Sequence, residues 1–133
     1  MIVNPEGAEP VTVSALHAVA YGCEGDLADN SALVGVTRQA VLASGLTIMS
    51  DAVHAFVPHG LTVALILAQS HLVVSTWPEL RVATVDVAAC TSAEATMQVW
   101  QMLAAYLRPS RQSISDETLD LGVYVNAVHE TGS

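Results

Sequence analysis

The chain has 133 residues, a length that suits one domain, and 52% of them are hydrophobic against 13% charged. Thirteen acidic residues face four arginines for a net charge of −9, which argues against nucleic acid and anionic membrane surfaces as partners, since both need a cationic footprint. No apolar run is long enough to span a bilayer, no secretory-type leader is evident, and two distant cysteines, Cys23 and Cys90, make neither a disulfide framework nor a metal knuckle; a cytoplasmic protein is expected.

Residues 1–10, with Pro5, Gly7 and Pro10, read as a flexible leader. The run 11–21 is rich in β-formers and predicts a strand; 22–30, with two glycines and three acids, predicts a polar loop. Asn30 or Ser31 is placed to cap a helix reaching about Ser44, where Gly45 stops it, and Leu33, Val36, Thr37, Ala40 and Val41 give that helix one apolar face. Strands are predicted over 47–57, 61–68, 71–76 and 81–89, with a turn at Pro58-His59-Gly60 and a break at Pro78. Thr91 or Ser92 caps a second helix over 93–107, whose apolar face holds Met97, Trp100, Met102, Leu103 and Tyr106 and which Pro109 ends. Residues 110–117 read as a polar link, 119–128 as a last strand and 129–133 as a frayed tail.

The order β-α-β-β-β-β-α-β implies one α+β domain over 1–133, a two-layer arrangement of an antiparallel sheet with both helices on one face. The other face needs cover, and a small chain this apolar commonly finds it in a second copy, so a homodimer forming a larger sandwich is expected. The chain contains no lysine. Amine chemistry through an imine, which pyridoxal enzymes anchor on lysine, would need its carbonyl from elsewhere.

The most informative stretch is Gln69-Ser70-His71-Leu72-Val73-Val74-Ser75-Thr76-Trp77-Pro78-Glu79, which follows an apolar strand. Upstream stand Tyr21-Gly22-Cys23 and His54-Ala55-Phe56-Val57-Pro58-His59-Gly60; downstream stands Asp86-Val87-Ala88-Ala89-Cys90. In order and spacing these resemble the motifs of the prokaryotic S-adenosylmethionine decarboxylase family, over about residues 17–107. The resemblance implies that family's fold, and a pyruvoyl cofactor made from the chain itself. In the family's chemistry a serine hydroxyl attacks the preceding carbonyl, the resulting ester loses the serine Cα proton, and hydrolysis leaves a ketone on the new N-terminus. Mapped here, the cut falls between Gln69 and Ser70. The ketone binds the substrate amine and draws off electrons as CO₂ departs, which agrees with the missing lysine.

Further roles are implied position by position. Ser70 and Cys90 are the catalytic pair, the thiol returning a proton to the substrate. Glu79 matches the acid that binds ribose hydroxyls, Phe56 the aromatic that stacks on adenine, and Trp77 groups with them as substrate-binding. Thr62 stands where the family usually has a serine that assists processing, and keeps the hydroxyl. Two positions depart from the pattern: Ser75 replaces a histidine expected to take the Cα proton, and Gln69 replaces a glutamate. A serine hydroxyl cannot serve as that base; His71, on the same strand face as Ser75, is the nearest substitute. The histidines His17, His54 and His59 match no standard metal site, and no metal is expected.

The function expected is therefore decarboxylation of S-adenosylmethionine for polyamine synthesis. Two alternatives stay open: an unprocessed relative with a repurposed pocket, serving as a ligand-binding or regulatory protein or catalysing different chemistry, and a pyruvoyl decarboxylase of another amino acid such as ornithine or arginine.

Overall fold

The computed structural model describes residues 10–123. Six strands form one antiparallel sheet: β1 (Pro10–Tyr21), β2 (Ile48–Ala55), β3 (Leu61–Leu67), β4 (Ser70–Trp77), β5 (Val82–Ala89) and β6 (Arg111–Val123), in the spatial order β2-β3-β4-β5-β1-β6. Two helices, α1 (Asn30–Ala43) and α2 (Ala93–Leu107), lie on one face, as the order of elements predicts.

Alternation along the central strands decides which face the helices cover. Leu61, Val63, Leu65 and Leu67 of β3, Leu72 and Val74 of β4, and Ala83, Val85 and Val87 of β5 are buried, while the residues between them are more open. From the helix side Leu33, Ala40 and Val41 of α1 and Val99, Trp100, Leu103 and Leu107 of α2 close the core. Thr37 is buried too, because its hydroxyl donates to Leu33 O at 2.7 Å. The helices leave the opposite sheet face open; Ile66, His71 and Trp77 are exposed there.

Several local expectations are corrected. The cap of α1 is Asp29, one residue earlier than expected, whose carboxylate accepts from Ala32 N at 3.0 Å. Ser92 caps α2 in the same way, through Ala95 N at 3.3 Å. The expected link over 110–117 is instead the first half of β6, paired with β1 from Tyr21↔Arg111 through Leu16↔Asp116. Its side chains give no apolar alternation because it is an edge strand outside the helix-covered core, held mainly by its backbone ladder. Pro10 belongs to β1 and not to a leader. The remaining expectations for 1–9 and 124–133 lie outside the described residues.

Candidate active site

Two clusters form, one at each end of β4. At the first, Leu67↔Ser70 is the last pair of the β3–β4 ladder, so Ala68 and Gln69 make a tight hairpin turn. Gln69 has φ 56°, in the left-handed region that costs a non-glycine residue about 1–2 kcal/mol. The bond between Gln69 and Ser70 thus follows directly on a strained residue. The Ser70 hydroxyl, at the surface, donates to Ala68 O at 3.2 Å. Cys90 lies at the same end of the sheet: the β4–β5 register pairs His71 with Ala88, and Cys90 is the exposed residue immediately after β5. Ser14 Oγ ties down the segment behind it by donating to Thr91 O at 2.8 Å.

At the other end a cleft of about 300 Å³ is lined by Phe56, His59, Gly60, Thr62, Ser75, Thr76, Trp77 and Glu79. That is the lower end of the volume range of small-molecule pockets, roughly 300–1,000 Å³. Thr62 and Ser75 are direct partners across β3 and β4, and their hydroxyl oxygens are 2.9 Å apart. His59 Nε2 lies 3.3 Å from Glu79 Oε1. The turn joining β2 to β3 brings Phe56 and His59 here: Phe56 N donates to Gly60 O at 2.8 Å, and Leu61 N donates to Thr76 Oγ1 at 3.1 Å. Gly60, at φ +111° and with Thr76 O only 3.3 Å from where a Cβ would sit, is a position a side chain would strain. Phe56, half-exposed, meets the His54 ring edge-on with centroids 4.6 Å apart.

Glu79 rides on a short 3-10 turn, Pro78–Leu80, which Arg81 ends in the left-handed conformation. The turn is braced from behind by the loop after β1. Cys23 N donates to Arg81 O at 2.9 Å, and Arg81 Nε donates back to Cys23 O at 3.1 Å. Burial pushes the Cys23 thiol above the ordinary cysteine range, against the opposing pull of the Arg81 charge and an Ala83 backbone hydrogen bond. Cys23 is therefore a packed thiol and Cys90 the accessible one.

The sequence-predicted residues thus divide: Gln69, Ser70, His71 and Cys90 stand at the turn end, Phe56, Thr62, Ser75, Trp77 and Glu79 at the cleft. His71 and Ser75 share the open face, but four residues of extended strand, about 13 Å, separate them. Within one chain His71 therefore does not occupy the place of the absent histidine. Sequence reasoning set aside His59, which the structure places in the cleft; its position inside the His54–Gly60 motif was the available signal. Among the described residues no group of three or more His, Cys, Asp or Glu side chains is placed to hold a metal, and no helix is long and apolar enough to cross a membrane.

Residues 15–117 match the family model described as S-adenosylmethionine decarboxylase. The chain belongs to the S-adenosylmethionine decarboxylase family. Relatives named S-adenosylmethionine decarboxylase proenzyme include one from Persephonella marina, 34% identical over 86% of this chain and 89% of the relative, and one from Pyrobaculum aerophilum, 34% identical over 71% and 77%. The fold of the family is shared as well. The crystal structure of the adenosylmethionine decarboxylase from Aquifex aeolicus VF5 superposes with a TM-score of 0.72 at 28% identity, covering 92% of this chain and all of that one. The ornithine or arginine alternative and the repurposed-pocket alternative gain no support from these relatives, whose names all carry S-adenosylmethionine.

Proposed function

We propose that this member of the S-adenosylmethionine decarboxylase family cuts its own backbone between Gln69 and Ser70 and decarboxylates S-adenosylmethionine as a homodimer, in polyamine synthesis. The observation that carries the reading is the strained turn at Gln69, which sets a surface serine hydroxyl beside the bond to be broken. Ser70 Oγ attacks the Gln69 carbonyl carbon and displaces the Ser70 nitrogen, which takes the hydroxyl proton, giving an ester whose Cβ–O bond breaks later. The ketone left at residue 70 supplies the electron-accepting carbonyl for loss of CO₂. Cys90, exposed at the same end, returns a proton to the substrate carbon. At the cleft Glu79 accepts hydrogen bonds from ribose hydroxyls, and Phe56 and Trp77 offer aromatic faces to the adenine and the sulfonium charge.

The distance between the two clusters supports the dimer. Ser75 is five residues of extended strand from Ser70, about 17 Å, too far for one small substrate to touch both. A two-fold axis that lays open face on open face sets the turn end of one copy against the cleft of the other, and completes two sites at once. The open face suits such burial, with Ala64, Ile66, Val73, Val82 and Ala88 among its residues.

Intact mass of the purified protein tests the cut. The expected result is two fragments, 1–69 and 70–133, the second starting with a group that amines trap under reduction, together with CO₂ release from S-adenosylmethionine. A single intact chain of 13.9 kDa after full maturation would remove the ketone and the decarboxylase reading with it.

A further inference from the structure

Making a ketone from Ser70 requires a base. The serine Cα–H bond must give up its proton while the Cβ–O bond to the Gln69 acyl group breaks. Ser75 cannot take that proton, and its hydroxyl is already engaged with that of Thr62. Imidazole is the side chain suited to accept and return a proton near neutrality. The His54 ring packs edge-on against Phe56. His71 stands exposed beside Ser70 and, among the described residues, no hydrogen bond or ion pair fixes its ring. His59 instead lines the same cleft as Thr62 and Ser75, with its Nε2 3.3 Å from Glu79 Oε1. In the tautomer that turns Nε2–H toward the Glu79 carboxylate, Nδ1 is the nitrogen left with a free lone pair.

We infer that His59 is the base for self-cleavage, supplying from the β2–β3 turn the imidazole that position 75 lacks. The inference rests on the self-cleaving dimer, in which the cleft of one copy meets the turn of the other. In the ester, Nδ1 of His59 takes the Ser70 Cα proton. The C–H electron pair becomes the Cα=Cβ bond, and the Cβ–O pair leaves with Gln69 as its new terminal carboxylate. The unsaturated residue then shifts a proton to become an imine, and water replaces its nitrogen, releasing ammonia and leaving the ketone. Glu79, while no substrate is bound, fixes the imidazole; once processing is complete, the same carboxylate is available to ribose.

The test follows cleavage by intact mass from the time of synthesis, with no substrate present. His59→Ala is expected to slow the cut by at least about 100-fold, the lower range for loss of a positioned base, and to accumulate a chain that hydroxylamine splits between residues 69 and 70, the mark of an ester. His59→Gln, which keeps a hydrogen-bond donor toward Glu79 but cannot take the proton, is expected to be equally slow. Adding Ser75→His to His59→Ala is expected to restore the cut, which a merely structural role for His59 would not allow. Wild-type cleavage with His59→Ala cut at the same rate overturns the inference alone, and so does a double variant no faster than His59→Ala. A wild-type chain that is never cut overturns the self-cleavage reading and this role together.

Discussion

The two ends of β4 are built on opposite principles. At the turn end a single backbone residue, Gln69, is held in a costly conformation next to a half-buried serine. At the cleft end the groups are ordered by one another: Thr62 on Ser75, His59 on Glu79, and the 3-10 turn beneath Glu79 clasped from behind by Cys23 and Arg81. Bond breaking suits the first arrangement, because strain is released by the cut. Recognition suits the second, because groups already in place lose little freedom when a ligand arrives.

The largest expected effect separates the ends outright. Ser70→Ala should stay a single chain on denaturing electrophoresis and release no CO₂, with the fold unchanged by circular dichroism. Glu79→Gln, whose amide oxygen can still accept from His59, should still be cut but more slowly, and once cut should show a KM for S-adenosylmethionine raised by about 10- to 100-fold, the loss expected when hydrogen bonds to a charged acceptor are weakened. Co-expression of these two variants, each defective at a different end, should return about a quarter of wild-type activity at low substrate, because random pairing gives half the dimers one intact site. No recovery in the mixture would mean that both ends serve within one copy.

The smallest effect probes the brace behind Glu79. The folded chain holds the Cys23 proton more tightly than the unfolded chain, whose thiols titrate near the ordinary value of 9.0. The contribution is therefore complete below that pH and is lost as pH rises through the higher folded value. Tyr106, raised by burial and by the nearby Asp26 and Asp29 charges, has the same sign starting from 10.0. Urea midpoints should fall from about pH 8 upward, and Cys23→Ala should flatten the earlier part of that slope while leaving the Tyr106 part.

The eight main helices and strands were legible in the sequence because each has a local cause: alternation in β3 to β5, caps and breakers around α1 and α2, and Pro78 after β4. The start of β6 was not, since a strand that buries no side-chain face leaves no period to read. The candidate site was legible as residues but not as a place. Gln69 through Glu79 read as one continuous motif, yet an extended backbone advances about 3.3 Å per residue and carries the two halves of that motif to opposite ends of the sheet. Where each half lies in space is a property of the fold, which a linear pattern does not encode.

The border formed by β6 is rich in acidic and hydroxyl side chains, with Ile114, Leu119 and Leu121 exposed among them. A bare strand normally invites another to join it, and sheets with apolar rims grow into filaments. Here Ser113, Ser115, Asp116, Glu117 and Asp120 lie along that border, on a chain already strongly negative. Two such rims brought side by side would repel. Growth of the sheet into a ribbon is disfavoured along this rim.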